Sequence, residues 1–196
     1  MLYLLRVCEK SREHQMALGL LAYGLKKEYG MEKLPEIARS EQGKPYFQEY
    51  PEIYFNYSHS RQGILCGLHT GEIGVDIQGR LRYKERLAQR ICHTKELEAL
   101  ERFPDREEAM TRFWTAKESF LKYKGCGIRV DLRRIDCSGC LRGRMELEGA
   151  ILHSSMEETF ALAVCCQDSV PECREVKWED LSLDGFSSCN SQIIHL

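Results

Sequence analysis

The sequence predicts an α+β fold built from two similar halves, and the order of its segments is the main reason. The chain opens with a strand-like run, LYLLRV, followed by a helical stretch. Three short strand-like runs come next, IYFNYSHS, GILCGLH and IGVDIQ, and then a helical region from about Tyr83 to Lys124. Two more strand-like runs, RGRMELEGAIL and TFALAVCC, complete the pattern. Strand, helix and strands, followed by helices and strands again, is typical of an α+β protein.

Length and composition are compatible with this architecture. A chain of 196 residues fits one domain or two small halves with a shared core. Hydrophobic residues make up 43% and charged residues 30%, which favours a folded chain over a disordered one. We place the first half at residues 1–73 and the second at 74–196, which begins with the strand that contains Asp76.

The helix boundaries follow from capping residues. Ser11 is expected to open the first helix, whose apolar residues recur at helical spacing and which ends near Tyr29. In the second helical region, breaks at residues 93–94 and 104–105 predict N-caps at Thr94 and Asp105, the latter with Glu108 three residues on. The first helix is thus carried by these apolar positions: Leu18, Leu21, Ala22 and Leu25.

Charge and hydropathy limit the possible partners and locations. The net charge of −2 contains no large basic excess, which argues against a general nucleic-acid binder. The N-terminal run is short and no small-residue cleavage site follows it. No segment approaches the roughly 18 apolar residues of a membrane span. We therefore expect a cytoplasmic protein with no membrane partner.

The chain has ten cysteines, but without an export signal they do not predict a disulfide scaffold. Cys66, Cys165 and Cys166 lie in apolar segments and are interpreted as buried, reduced thiols. The pair Cys137 and Cys140 has the spacing of half a zinc site or of a redox pair. It lacks a clear second ligand pair, so this remains a minor alternative.

One helix carries charges where core contacts are expected. At about 100° per residue, the large apolar residues of TRFWTAKESFLKYKG average to the direction of Lys117, with Glu118 on the flank. Lys122 shares the side of Glu118. A lysine stem on the core with its ammonium in solvent would explain Lys117. The alternative is a functional site along this helix.

Two other segments offer candidate ligands. Asp76 interrupts an apolar strand, and it is either a harmless strand residue or, together with Glu118, a site for a hard cation such as Mg²⁺. Ser58 and His59 close the strand FNYSHS, where they serve either the turn or phosphate binding. No nucleophile elbow or triad order surrounds them, so a serine hydrolase is not indicated.

Taken together and in this order, these segments resemble the 4′-phosphopantetheinyl transferases of the larger, surfactin-synthetase-activating type. The family's marks are a Gly-Val/Ile-Asp strand, here residues 74–76, and a Trp-x-x-Lys-Glu-x-x-x-Lys helix, here residues 114–122. The upstream segments GKPYF and FNYSHS are also similar to those of the family. The resemblance covers roughly residues 43–128.

This resemblance implies a pseudo-twofold enzyme with its active site between the two halves. Members transfer the 4′-phosphopantetheine arm of coenzyme A to a serine of an acyl or peptidyl carrier protein, in a Mg²⁺-dependent reaction that releases 3′,5′-ADP. The carrier would belong to fatty-acid, polyketide or nonribosomal peptide synthesis. The smaller holo-acyl-carrier-protein synthases of the family are trimers about half as long, so the length here favours a monomer.

The resemblance also implies roles for single residues at the metal and the diphosphate. Asp76 and Glu118 would hold Mg²⁺, with Gln78 standing where many relatives have a second acidic residue. Gln78 can offer its carbonyl oxygen or bind a metal-bound water. Lys122 would contact the diphosphate oxygens, and Lys117 would either do the same or brace Glu118.

Further residues match phosphate-binding and catalytic positions of the family. Lys44, Ser58 and His59 would grip the 3′-phosphate and neighbouring phosphates, and we assign Arg12 to the same role. Glu96 matches the glutamate proposed as general base or as a further group at the metal. The plain alternative for Glu96 is a first-turn glutamate stabilised by the helix dipole.

Three expectations concern the remaining surface and the rival functions. The basic segment RLRYKERLAQR is either a solvated helix face or the docking surface for an acidic carrier protein. The tail after Trp178 is expected to be dispensable for the chemistry. The rival functions are a coenzyme A-binding module without transfer activity and a Mg²⁺-dependent diphosphate hydrolase.

Overall fold

The structure is a computed structural model that describes residues 1–6, 12–127 and 130–181, and it confirms the predicted α+β class. The first part of the chain forms β1 (Leu2–Arg6), α1 (Glu13–Tyr29), β2 (Ile37–Arg39), β3 (Pro45–Phe47), β4 (Tyr54–Ser60), β5 (Gly63–His69) and β6 (Ile73–Gly79). The second part forms α2 (Glu85–Ile91), α3 (Thr94–Arg102), α4 (Arg106–Lys124), β7 (Arg144–Leu147), β8 (Ala150–Met156), β9 (Phe160–Cys166) and β10 (Cys173–Val176).

Two four-stranded sheets with a long helix each form the similar halves. One sheet has the order β10-β1-β5-β4 and carries α1, and the other has the order β6-β9-β8-β7 and carries α4. The sheets meet where β4 lies beside β6: the backbone N–H of Val75 donates to Oδ1 of Asn56 over 2.9 Å. Leu2, Leu65 and Ile73 pack into one apolar cluster shared by both sheets. This junction places the ends of both halves around a common cleft.

Gly74 determines how closely α4 approaches β6. A Cβ atom at this position would lie 2.1 Å from the carbonyl oxygen of Ser119 and 2.3 Å from the backbone nitrogen of Tyr123. Both neighbours are main-chain atoms of α4, so no side-chain movement could make room for a larger residue. The glycine of the Gly-Val-Asp segment therefore allows the direct contact that brings the charged side chains of α4 next to β6.

Strand β10 belongs to the sheet of the first half, although the sequence-based division at residue 73 assigned its residues to the second half. β10 pairs in parallel with β1, in the register Leu2↔Cys173 to Leu5↔Val176, so residues 173–176 lie in the first sheet although they fall within 74–196. Three of its four residues are exposed, so no apolar pattern marked it. Leu181 is buried in the core of the same half, and a tail cut after Trp178 would remove it. Residues 182–196 and the predicted helix start Ser11 lie outside the described residues.

The caps of α3 and α4 match the sequence pattern to within one residue. Asp105 caps α4 as predicted, since its Oδ1 accepts from the backbone N–H of Glu108 over 3.0 Å. At α3 the N-cap is His93, not Thr94: its Nδ1 accepts from the backbone N–H of Lys95, and Glu96 accepts from that of His93. An imidazole nitrogen here replaces the usual hydroxyl or carboxylate acceptor.

The cysteines in the described ranges are free thiols, and most are buried. This confirms the interpretation of Cys66, Cys165 and Cys166 as buried, reduced core residues. Cys137 and Cys140 are also buried, and burial raises the pKa of Cys140 to about 12. Because metal binding and thiol exchange need a thiolate, their environment does not favour the zinc or redox alternative. Within those same ranges, no helix is both long and apolar enough to cross a membrane.

Candidate active site

Three side chains from three elements form a polar network where the halves meet. Asp76 on β6 is 6% exposed, and its Oδ1 accepts from the Ser58 hydroxyl on β4 and from Lys122 Nζ on α4, both over 2.7 Å. Lys122 Nζ also donates to Ser58 Oγ at 2.9 Å and to the carbonyl oxygen of Val75 at 3.2 Å. Residues far apart in the sequence are thus held together by charge-assisted hydrogen bonds.

Glu118 adds a second carboxylate to this network, and one of its oxygens has no partner. Oε1 of Glu118 is buried and accepts no hydrogen bond from the described residues. Burial raises the pKa of the Glu118 carboxyl, the negative charge of Asp76 raises it further, and Lys122 lowers it. A buried acceptor without a partner is costly, and a bound cation would remove that cost.

A cavity of about 290 Å³ opens beside Glu118 and Lys122. It lies between the β2–β3 hairpin, strand β4 and the C-terminal end of α4. Cationic groups from both halves face it together with Glu118. Its polar and charged lining consists of Arg39, Gln42, Lys44, Asn56, Tyr57, Glu118 and Lys122. A cleft with several cations and a carboxylate at one end suits a multiply charged anion that carries a divalent cation.

Lys44 connects the hairpin to the end of α4. Its Nζ donates to the carbonyl oxygen of Tyr123 over 2.6 Å and pairs with the carboxylate of Glu72. Helix α4 ends at Gly125, whose φ of 68° is the left-handed conformation that favours glycine. A Cβ there would lie 3.0 Å from Cδ of Lys44, so the turn and the lysine stem pack tightly. The cation is therefore fixed at the wall of the cavity.

His59 follows Ser58 on β4. Neighbouring residues of a strand point to opposite sides, so His59 faces away from Asp76, which Ser58 contacts. Its Nδ1 lies 3.2 Å from the Glu13 carboxylate on α1. Burial lowers the pKa of His14, and the positive charges of Arg39 and His59 lower it further, which shows that these three groups are neighbours. Arg39, which lines the cavity, thus has His14 and His59 as polar neighbours.

Sequence reasoning missed His14 and Arg39. The feature that could have found His14 was its place as the second residue of α1, between Arg12 and Gln15. Arg12 itself lies elsewhere: its guanidinium sits 5.3 Å from the ring of Trp178 and its Nε donates to Gln15. It does not line the described cavity.

The structure corrects the places of Lys117 and Glu96. Both side chains are 0% exposed, and Lys117 Nζ lies 2.8 Å from Oε2 of Glu96. Lys117 also donates to the carbonyl oxygens of Leu132 and Ile135, each over 2.7 Å. It therefore neither faces the cavity nor braces Glu118, and its ammonium does not reach solvent. Oε1 of Glu96 accepts from the backbone N–H of Cys137, so the predicted general base is a buried structural partner in this geometry.

Gln78 lies on the same face of β6 as Asp76, since the two are separated by one residue. It is partly exposed, and its Nε2 donates to the carbonyl oxygen of Gly79 over 3.1 Å. The side-chain amide of Gln78 thus bonds to the main chain of its own strand. Its contact with a metal stays a prediction.

Comparisons with known proteins show which family the chain resembles. Residues 72–166, which include Asp76 and Glu118, match the profile of the 4′-phosphopantetheinyl transferase superfamily. Over 172 residues the chain is 28% identical to the 4′-phosphopantetheinyl transferase of Bacillus subtilis, covering 82% of this chain and 77% of that protein. Over 191 residues it is 26% identical to 4′-phosphopantetheinyl transferase Sfp of Bacillus subtilis (strain 168), covering 90% and 85%. The chain belongs to the 4′-phosphopantetheinyl transferase superfamily.

This membership confirms the predicted enzyme class, a phosphopantetheinyl transferase. The long matches to the two Bacillus subtilis proteins also confirm the larger, surfactin-synthetase-activating type. Among solved structures, the chain is similar to holo-[acyl-carrier-protein] synthase of Thermotoga maritima, with a TM-score of 0.39 and 21% identity. That similarity covers 48% of this phosphopantetheinyl transferase and 61% of the other chain.

Proposed function

We propose that this phosphopantetheinyl transferase moves the 4′-phosphopantetheine arm of coenzyme A to a serine of an acyl or peptidyl carrier protein, with Mg²⁺, and releases 3′,5′-ADP. The observation that carries the proposal is the unpartnered, buried oxygen of Glu118 next to Asp76 and Lys122, at the edge of a cationic cavity. Two carboxylates and an ammonium at one point suit a diphosphate with its divalent cation.

The residues present fit a magnesium ion. Mg²⁺ prefers hard oxygen ligands and is often held by only one or two protein carboxylates together with waters and substrate phosphates. Asp76 and Glu118 supply two carboxylates, and the described residues offer no larger cluster of three or more acidic, histidine or cysteine ligands. Gln78 would act through its carbonyl oxygen or a water. When bound, the ion would neutralise charge on the diphosphate.

The cations around the cavity account for the other phosphates. The Lys122 ammonium uses its three N–H donors on Asp76, Ser58 and the Val75 carbonyl, so a diphosphate oxygen would replace the longest of these contacts, 3.2 Å to Val75. The Ser58 hydroxyl next to it orients both groups. Lys44 is placed for a second phosphate contact at the cavity wall, and Arg39 and His59 with His14 would take the 3′-phosphate.

The chemistry requires one bond to form and one to break. The carrier serine oxygen bonds to the phosphorus that carries the pantetheine arm, and the bond from this phosphorus to the bridging oxygen breaks, so that 3′,5′-ADP leaves. The serine proton needs an acceptor. Glu118 suits this role better than Glu96, because Glu118 lines the cavity and one of its oxygens is unpartnered, whereas Glu96 is fully buried and paired with Lys117. One carboxylate oxygen of Glu118 suffices for the metal, which leaves the other for the proton.

Helix α2 and the segment before it form the proposed docking surface for an acidic carrier protein. Arg80 is occupied by Asp105 and Glu107. The other cations of this segment are exposed and form no ion pair with the residues that the structure describes. They are Arg82, Lys84, Arg86 and Arg90. An array of unpaired positive charge attracts an acidic protein surface.

We expect Arg86→Glu/Arg90→Glu to raise KM for the carrier at least about tenfold while KM for coenzyme A stays the same, because like charges then face each other. The effect should shrink at high ionic strength. Lys26→Glu/Lys27→Glu on α1 is the matched control, since it makes the same charge change on another exposed helix end. Equal KM values for the carrier in both variants would contradict docking on α2.

Intact-mass measurement of apo carrier proteins from several pathways, incubated with enzyme, coenzyme A and Mg²⁺, tests the proposed reaction. We expect one phosphopantetheine arm on the serine of at least one carrier, with stoichiometric 3′,5′-ADP. Release of free phosphopantetheine without any carrier would instead establish a diphosphate hydrolase. Coenzyme A binding without either product would establish an inactive binding module. A molar mass in solution equal to that of one chain would support the predicted monomer. The cytoplasmic location stays a prediction.

A further inference from the structure

A single buried ion pair holds three segments of the second half together. Lys117 comes from the middle of α4 and Glu96 from the first turn of α3, and both are fully buried. The third segment is the connection at residues 130–137, which contributes only main-chain atoms. Its carbonyl oxygens of Leu132 and Ile135 accept from Lys117 Nζ, and its Cys137 N–H donates to Glu96.

The two carbonyl contacts fall on the first residue of a short 3-10 turn, Leu132–Arg134, and on Ile135 directly after it. The main chain of Leu132 and Ile135 is bound by the buried Lys117, and the side chains of Arg133 and Arg134 between them are exposed. Arg133 is paired with Asp131 at 2.8 Å. Arg134 forms no salt bridge with any residue in the described ranges, so its charge is available to a partner. This turn packs against α2, the helix of Arg86 and Arg90.

We infer that Glu96 and Lys117 are positioning residues that hold the Leu132–Arg134 turn beside α2, and that Arg134 on this turn extends the docking surface for an acidic carrier protein. This inference rests on the proposed function, because it assumes a carrier that docks on α2. It assigns Lys117, the first lysine of the Trp-x-x-Lys-Glu-x-x-x-Lys segment, a role away from the coenzyme A phosphates. The cation that touches the partner is Arg134, and Lys117 acts through it.

The chemistry of the pair agrees with positioning. A buried ion pair contributes little net stability compared with well-packed apolar residues, but it satisfies a defined set of partners in one geometry. Here the partners are main-chain groups on both sides of the exposed arginines. Neither Lys117 nor Glu96 lines the described cavity, whereas Glu118 and Lys122 of the same helix do. The pair is therefore separated from the reacting groups and joined to the turn.

A double-mutant cycle tests the inference. Arg134→Ala and Lys117→Met are each expected to raise KM for the carrier about five- to tenfold, the effect of losing one well-placed interface charge. KM for coenzyme A and kcat at saturating carrier should stay within about twofold, since the reacting groups are untouched. In Arg134→Ala/Lys117→Met the rise should be no larger than in Lys117→Met alone, because a misplaced arginine has already lost its contact.

Several outcomes would overturn the inference. Multiplicative effects of Arg134→Ala and Lys117→Met on KM, or an equal rise of KM for coenzyme A, would show that Lys117 only stabilises the fold. If Lys117→Met does not fold, Glu96→Gln, which keeps the shape and removes the charge, takes its place in the cycle. No effect of Arg134→Ala while Arg86→Glu/Arg90→Glu raises KM would refute the inference alone. No effect of either would refute docking on α2 as well.

Discussion

Glu118→Gln is expected to abolish transfer and, at the same time, to raise the melting temperature of the metal-free protein. Activity should fall at least about 10²- to 10³-fold, because the variant loses the charge that, in the proposed mechanism, faces the diphosphate and its cation. Stability should rise because Glu118 is an ionised group that burial and Asp76 both disfavour. Glutamine keeps the size of the side chain and removes that charge. Function and stability then oppose each other at one residue.

The sign of the stability effect follows from the raised pKa of Glu118. In the unfolded chain this carboxyl titrates near its ordinary value of about 4.3, and in the folded protein it holds its proton to higher pH. Above the unfolded pKa the folded state therefore binds more protons than the unfolded state, so stability declines as pH rises through this window. The decline ends above the folded pKa. Below about pH 4 the carboxyl is protonated in both states and the penalty disappears.

Thermal melts in EDTA at several pH values between about 4 and 8, combined with intact-mass assays of carrier modification, check both parts. The excess in melting temperature of Glu118→Gln should be present at pH 7 and vanish near pH 4. Glu148→Gln is the matched control, since Glu148 is exposed and pairs only with Lys124 among the described residues. A Glu118→Gln variant with unchanged transfer, or one that melts below the wild type at pH 7, would contradict the account.

The candidate site could be predicted where chemistry and spacing were visible in short segments. Asp76 breaks an apolar strand, and Glu118 and Lys122 share one side of α4. Their residue types and periodicity already indicated a site that binds a metal cation together with a phosphate group. What brings them together is Gly74, whose missing side chain allows α4 to touch β6. The sequence contained this glycine, but only the structure shows the two main-chain neighbours that require it.

The places of Lys117 and Glu96 could not be predicted in the same way. Helical periodicity correctly put Lys117 among the core residues of α4. It could not reveal that the carbonyl oxygens of residues 132 and 135 accept hydrogen bonds from Lys117 there. These acceptors come from a connection with no regular pattern. Strand β10 was missed for a related reason, since its pairing with β1 joins residues about 170 positions apart and leaves most of its side chains exposed.

Lys122→Met should lower kcat/KM for transfer about 10²- to 10³-fold, the usual effect of removing a charge that stabilises a transition state. The ammonium now donates to Asp76, Ser58 and the Val75 carbonyl from the centre of the network. Its loss removes the proposed diphosphate contact and also leaves the carboxylates of Asp76 and Glu118 facing each other without a cation. The melting temperature of the metal-free protein should therefore fall at pH 7, the opposite of the change in Glu118→Gln.

Lys124→Met supplies the matched control on the same helix. Lys124 lies two residues further on, is more exposed than Lys122, and pairs with Glu148 at the surface. Surface pairs of this kind contribute at most about 1 kcal/mol, so this variant should keep its activity and nearly its stability. If both variants lost activity equally, the general charge at the end of α4 would explain the effect. A loss confined to Lys122→Met, with the opposite shifts in melting temperature at Glu118 and Lys122, would locate the diphosphate where the two halves meet.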